Sequence, residues 1–330
     1  MLGIDAKAAR ATWTALLLLL LLGTVYLIRD TLLVFVIAMM FAYLLYPLFD
    51  SLQEKAGART PALALTFVLV LGVIAGLGVF IGSHVGAEAK LLADQLRRPD
   101  FQQQLADFRI FDIPVGEQIT GHYSEIVAAV PALTLKVIAA SSNLIDLILI
   151  PILSFFILKD GRDLRDSLID VFAEKRATLE LLLADAHTLM LQYMRALLLL
   201  CLTVLAIFSL VLHLMGVPYA ILLASIAFML EFIPMVGPLG AAGIILTVSY
   251  FSGYPHVWAL AAFLGGYRLF QDYVLSPHLM KKGVELHPLA VIFGVLAGGE
   301  IGGVAGIFLS VPILAMLRLL YHQQRKVISP

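Results

Sequence analysis

The chain has 330 residues, of which 61% are hydrophobic and 14% charged, with a formal net charge of −1. A soluble domain is typically about half apolar and about a quarter charged. At a mean hydropathy of +0.97 the surplus Leu, Ile, Val, Phe and Ala has no interior to hide in and must face lipid, which predicts a polytopic membrane protein. The near-neutral charge offers no basic surface for nucleic acid. One cysteine, Cys201, excludes an intrachain disulfide and a Cys-rich metal site. With no CxxC, HExxH or P-loop motif, the sequence gives no reason to expect a cofactor, a bound metal or a catalytic residue.

A membrane-crossing helix takes about 20 mostly apolar residues at a rise of about 1.5 Å each. On that measure a first span covers about residues 11–28 and a second 31–49, joined by Arg29-Asp30, with Pro47 at the second exit. The leucine block Leu16 to Leu22 follows Lys7 and Arg10, but no A-x-A-like site comes after it, so it reads as an uncleaved span. A polar loop over 50–60 leads to a third span at 61–83, completing an N-terminal membrane unit, 1–83. Residues 84–130 carry charges every few positions with apolar residues at amphipathic spacing, which predicts an extracytoplasmic helical cap. A fourth span falls within 131–158, contains Pro151 and ends at Lys159-Asp160-Gly161. The segment 159–188 reads as a cytoplasmic amphipathic helix whose apolar stripe includes Leu164, Leu168, Val171 and Phe172. Basic residues in the N-terminus, the 50–60 loop, 159–188 and the tail put both chain ends in the cytoplasm. Trp13, Tyr46, Tyr254 and Trp258 fit interface anchors.

The last unit, 189–330, opens with a fifth span at about 190–215 and then changes style. Its apolar runs, 217–236, 237–253, 256–272 and 288–321, are cut by glycine and proline. The stretch 288–321 is too long for one comfortable span and too glycine-rich for an unbroken helix, so it reads as two half-helices in a re-entrant hairpin. Backbone broken at depth must be buried in protein or line water. Two stretches echo each other. Val217-Pro218-Tyr219-Ala220 starts a run that reaches Glu231 and then Pro234, Gly237 and Pro238. His287-Pro288-Leu289-Ala290 starts one that passes Gly298 and Gly299 to Glu300 and then Gly302 and Gly303. Paired, interrupted apolar segments point to a transport site.

Glu231 is the most informative residue, because an ionised carboxylate in hydrocarbon costs several kcal/mol unless paired, hydrated or protonated. It either caps a half-helix or forms part of a solute or proton site. Glu300, among glycines, either sits wet at a hairpin tip or joins that site. Arg268 and Asp272, one turn apart, can pair with each other; alternatively Arg268 neutralises Glu231 or Glu300 and Asp272 closes the network. The candidate partners are the lipid bilayer and a small polar solute, Na+ or H+.

Four motifs then carry a resemblance. Phe155-Phe156-Ile157-Leu158-Lys159-Asp160-Gly161 resembles the FFxLKDG signature of the AI-2E transporter family, the autoinducer-2 exporter-like permeases. Ile233-Pro234-Met235-Val236-Gly237-Pro238 is similar to its IPxxGP break, and Gln271 through Pro277 to its QxxxxxP element. Pro288 through Gly299, then Gly303, Gly306 and Pro312, resembles its final glycine-rich hairpin. The resemblance implies an inner-membrane permease with about eight membrane segments, assembled as a homo-oligomer such as a pentamer. It further implies export of the furanosyl signal autoinducer-2 or, in some members, sodium or lithium/proton exchange. A non-transporting scaffold, holding partners through the cap and the 162–186 helix, is the reading from another class.

Overall fold

A computed structural model describes residues 6–96, 98, 144–171, 176–279 and 286–328. Most of the expected cap and the start of the fourth span lie outside them. Every element is helical: α1 (Ala6–Leu27), α2 (Arg29–Ala56), α3 (Arg59–Leu96), α4 (Leu144–Val171), α5 (Arg176–Leu214), α6 (Ala220–Leu230), α7 (Val236–Phe251), α8 (Val257–Phe270), a π-turn (Gln271–Leu275), α9 (Ser276–Leu279) and α10 (Pro288–Ile328). Among the described residues, four helical stretches, Arg29–Ala56, Arg59–Gly76, Arg176–Leu214 and Pro288–Tyr321, are long and apolar enough to cross a membrane. The all-α membrane class predicted from composition is the class observed.

Helices α2, α3 and α4 form one packing unit around Ala42, Leu45, Phe49, Ala62, Leu63 and Leu158. Small residues on α2 let α4 come close, as membrane helix contacts require. Ser154 Oγ lies 2.7 Å from both the Ala38 carbonyl of α2 and the Ile150 carbonyl of its own helix, so one hydroxyl hydrogen serves both. Arg59, the first residue of α3, donates from Nη2 to the Leu158 carbonyl at 2.6 Å and stands over the Phe49 ring. Phe155 meets Phe67 edge to face at 5.6 Å, and Lys159 Nζ lies 5.8 Å from the Phe156 ring. Ser154→Ala is expected to lower stability by about 0.6–1.7 kcal/mol, the range for hydrogen bonds between membrane helices. A thermal unfolding midpoint equal to the parent's would contradict that.

Helix α5 is the spine. Met190, Met194, Leu197, Cys201, Val204, Phe208 and Leu212 recur every three or four residues and are all buried. Its first half packs with Met40 of α2 and Leu309 of α10. Its second half packs with Leu223 and Ala227 of α6, Ile245 of α7 and Leu264 and Tyr267 of α8.

Several element boundaries differ from the sequence expectation. Lys159-Asp160-Gly161 does not end a helix, because α4 runs through it to Val171. A single glycine costs a helix only about 1 kcal/mol, too little to break one flanked by good helix formers. The residues expected as one amphipathic helix over 162–186 belong to α4 as far as Val171 and to α5 from Arg176. Helix α3 continues past His84, where the cap was to begin, as far as Leu96. Pro47 lies inside α2, which continues to Ala56. Of the four aromatic anchors, Trp13 and Trp258 are exposed, whereas Tyr254 is buried and donates to the Met215 carbonyl at 3.0 Å. Tyr46 packs edge to face on His187 at 5.1 Å.

The C-terminal third is built of helical hairpins. Leu222 near the start of α6 shares a cluster with Phe251 at the end of α7, while Leu230 and Gly237 meet at the other end, so the two helices are antiparallel. Within α10, Gly302 (φ −137°, ψ 19°) and Gly303 (φ 56°, ψ −138°) leave the helical region. The arms on either side fold together: Gly294 lies against Leu314, Gly298 against Gly306 and Gly299 against Ile307. Helix α6, with 11 residues, and α7 with 16 reach only about 16–24 Å, short of a hydrocarbon core of roughly 30 Å, whereas α8 runs on through the π-turn and α9 to Leu279.

Candidate functional site at the hairpin tips

Helix α6 is apolar from Ala220 to Leu230 and ends where Pro234 removes a backbone donor. Glu231 is its C-terminal cap, with its N–H on the Ala227 carbonyl at 3.0 Å. The chain then reverses in a three-residue γ-turn: Val236 N–H donates to the Pro234 carbonyl at 2.7 Å, with Met235 at φ 65°, ψ −50°. This hand of γ-turn is rare and strained for a residue with a side chain, and such strain gathers at functional positions. Pro238 sits in the first turn of α7, where its missing N–H costs nothing. Gly237 closes the tip. A Cβ there would stand 1.8 Å from the Leu230 carbonyl oxygen, so Gly237→Ala is expected to destabilise by about 1–3 kcal/mol. A thermal midpoint within a degree of the parent would refute that packing.

The Glu231 side chain is buried, and Gln271 donates to it from Nε2 to Oε1. Gln271, itself 4% exposed, opens the π-turn, in which Ser276 N–H bonds the Gln271 carbonyl. Pro277 next in sequence has no N–H to continue the regular ladder. π-Turns of this kind frequently mark functional sites. Here the turn follows directly on α8 and starts at the residue that binds Glu231. Arg268 is taken by Asp272, Nε to Oδ2 at 2.9 Å, both side chains partly exposed. Of the two arrangements weighed from the sequence, the structure has the local pair. Glu231 is therefore held by a neutral amide rather than by a cation.

Around this carboxylate the other elements converge. Phe228 and Phe232 of the α6 tip stand 5.7 Å apart, and Phe232 meets Phe308 of α10 at 5.8 Å, both edge to face. The tip of one hairpin thus rests on the second arm of the other. Cys201 of α5 is fully buried in the same cluster as Leu309. The hydroxyls of Tyr193 on α5 and Tyr267 on α8 are buried and have no hydrogen-bond partner among the described residues.

The remaining candidates divide. Gly298 and Gly306 bring the two arms of α10 into backbone contact, Gly299 lies against Ile307, and a Cβ at Gly302 would stand 3.2 Å from Leu33 of α2. Gly303 makes the turn. Pro288 starts the first arm and Pro312 is buried in the second. Glu300 is exposed and forms no hydrogen bond or ion pair with Arg268 or Glu231. The sequence reading named Gln271 only as the start of a family-like motif, gave it no place beside Glu231, and missed the Phe228, Phe232 and Phe308 triad. A lone amide between the apolar α8 and Pro277 was the available signal. The aromatic triad had none, since phenylalanine in an apolar run is ordinary.

The sequence model of the AI-2E family transporters matches residues 15–326. The chain belongs to that family. It is similar to MT0215 of Mycobacterium tuberculosis, 27% identical over 296 residues that cover 84% of this chain and 79% of the relative. YrrI of Bacillus subtilis is 25% identical over 336 residues, covering 93% and 94%. YueF of the same organism is 24% identical over 306 residues, covering 86% and 82%. All three bear names that mark them as candidate transport proteins and state no substrate. The family match extends over both hairpins, and membrane transport is the activity that this membership supports.

Proposed function

We propose that the chain is a permease rather than an enzyme, and that it moves a small hydrophilic solute of the autoinducer-2 type out of the cell. Its route passes where the α6–α7 tip meets the α10 hairpin. One observation carries this: a buried carboxylate on the tip of a broken helix, bonded to a neutral amide. An amide satisfies one carboxylate oxygen without cancelling its charge. The site can therefore exchange hydrogen bonds with a passing polyol and still exclude anions. The arms around it are too short to span by themselves, which favours re-entrant hairpins beside a path. We place the protein in the bacterial inner membrane as a multi-pass chain with both ends cytoplasmic. Helix α1, whose residues Leu16 to Leu22 are all exposed, supports further packing in a homo-oligomer such as a pentamer. The test is efflux of autoinducer-2 from proteoliposomes loaded with it. Efflux above protein-free vesicles supports the reading, and none at any imposed gradient overturns that solute.

A second reading is Na+ or Li+ exchange for H+ at the same carboxylate. It is favoured by the pairing of Arg268 with Asp272, which leaves Glu231 without a cation of its own. Sodium-driven pH change in the lumen of the same vesicles is expected in the parent and absent in Glu231→Gln. No ion-coupled signal in the parent removes this reading.

A further inference from the structure

The base of the α6–α7 hairpin is held in an unusual way. Tyr219, the N-cap of α6, lies in the left-handed region (φ 59°, ψ 37°) and offers no side-chain cap. The first amide groups of a helix need acceptors, and one is supplied from another element. Glu88 of α3 accepts the Leu222 N–H at Oε2, 2.7 Å away. Leu222 is the third residue of α6, the position an N-cap side chain would ordinarily serve. Two turns further along α3, Gln95 accepts from the Tyr219 hydroxyl at 2.5 Å and donates from Nε2 to the Phe251 carbonyl at 3.2 Å. One amide side chain thus joins the start of α6 to the end of α7. Between these polar contacts, Ala89 and Leu92 are buried against Leu222 and Phe251, with Val85 beside them. Positions 85, 88, 89, 92 and 95 form a single face of α3.

Both connections at that base are hinged. Gly216 (φ 71°) and Gly253 (φ 75°) end the helices before and within the hairpin. In each case the glycine N–H and the next N–H bond back to the preceding helix, as in Schellman caps: Gly216 to His213 and Val217 to Leu212, then Gly253 to Tyr250 and Tyr254 to Ser249. A hairpin entered and left through left-handed glycines can swing on few dihedral changes. The hairpin rests on α5 through Leu223, Ala227 and Ile245, and the polar contacts that hold its base come from the face of α3.

We infer that Glu88 and Gln95 are positioning residues: from the outer part of α3 they set where the α6–α7 hairpin points, and so where its tip holds Glu231. From Leu222 to Glu231 the helix covers about 14 Å, long enough to turn a small tilt at the base into a displacement at the tip. The inference rests on the proposed role of Glu231. Its test reads tip position alone, so failure of the transport reading, seen as unchanged flux in Glu231→Gln, is a separate outcome.

The experiment is electron–electron distance measurement in the full chain, reconstituted in lipid nanodiscs, with Cys201→Ala as background. Spin labels at Leu239→Cys, near the tip, and Leu210→Cys on α5 report the tip; both side chains are exposed. Labels at Tyr250→Cys and Leu91→Cys report the base. Glu88→Ala with Gln95→Ala is expected to at least double the width of the tip distance distribution. Gln95→Glu, which keeps the acceptor for Tyr219, is expected to restore most of the parent width when Glu88 is intact. Unchanged tip distances while the base pair spreads would overturn the inference, since the contacts would then be local adhesion. Unchanged distances at both places would overturn it too. A thermal midpoint for each variant separates loss of fold from motion of a folded hairpin.

Discussion

Glutamine in place of Glu231 is expected to cut solute movement at least tenfold and leave the protein folded. The substitution conserves size and keeps an oxygen to accept from Gln271, so the buried hydrogen bond survives. What it removes is the charge, and with it the capacity to compete for a hydroxyl, a cation or a proton in transit. A tenfold fall corresponds to about 1.4 kcal/mol, within the range of one hydrogen bond to a charged group. Gln271→Leu perturbs the same pair from the other side. It leaves the carboxylate charged but without its donor, which costs about 1–3 kcal/mol of stability. The two variants therefore separate on two axes: Glu231→Gln loses flux with a thermal midpoint near the parent's, and Gln271→Leu loses both. Flux in Glu231→Gln within twofold of the parent would remove this carboxylate from the route.

Alanine at Gly306 is the second substitution with a large expected effect. A Cβ there would lie 1.9 Å from the Gly298 carbonyl oxygen and 2.7 Å from its carbon, and one at Gly298 would lie 2.4 Å from the Gly306 oxygen. Neither neighbour is a side chain that can rotate aside. The arms of α10 must part, and each leans on something else: Phe308 on Phe232, and Leu309 in the core with Met40 and Cys201. Overpacking a well-filled core typically costs about 1–3 kcal/mol, and here the upper end is expected. Gly161→Ala is the matching control, since nothing lies within 4 Å of its Cβ position inside α4. Alanine there is expected to stabilise by roughly 0.5–1 kcal/mol through helix propensity. Thermal unfolding of both variants side by side checks the contrast. Equal midpoints would mean that the arms of α10 do not touch as described.

The position of Arg268 bears on how the site is charged. Because Asp272 already holds it, Glu231→Gln removes a negative charge without stranding a buried positive one. Had Arg268 paired with Glu231, the same variant would have left an uncompensated cation, a loss of about 3–5 kcal/mol. A near-parent midpoint for Glu231→Gln is thus a check on the pairing as well as on the fold.

Composition alone determined that this chain lives in lipid, because no soluble interior can absorb so many apolar residues. Glycine and proline, whose backbone limits act locally, mark where the last third breaks: Pro234 ahead of the α7 start and Gly302-Gly303 in α10 are legible in the sequence itself. The echo between the runs ending at Glu231 and Glu300 corresponds to two helical hairpins, but not to two equivalent carboxylates. Glu231 is buried at its turn, whereas Glu300 points outward just before its own, and only the neighbouring helices decide that. Tertiary structure also chose the partner of Glu231. Pairing between residues 40 positions apart depends on α8 returning antiparallel beside α7 and on a π-turn beginning at Gln271. Hydropathy cannot see either, since it weighs each residue by its affinity for water and contains no term for which helix lies beside which.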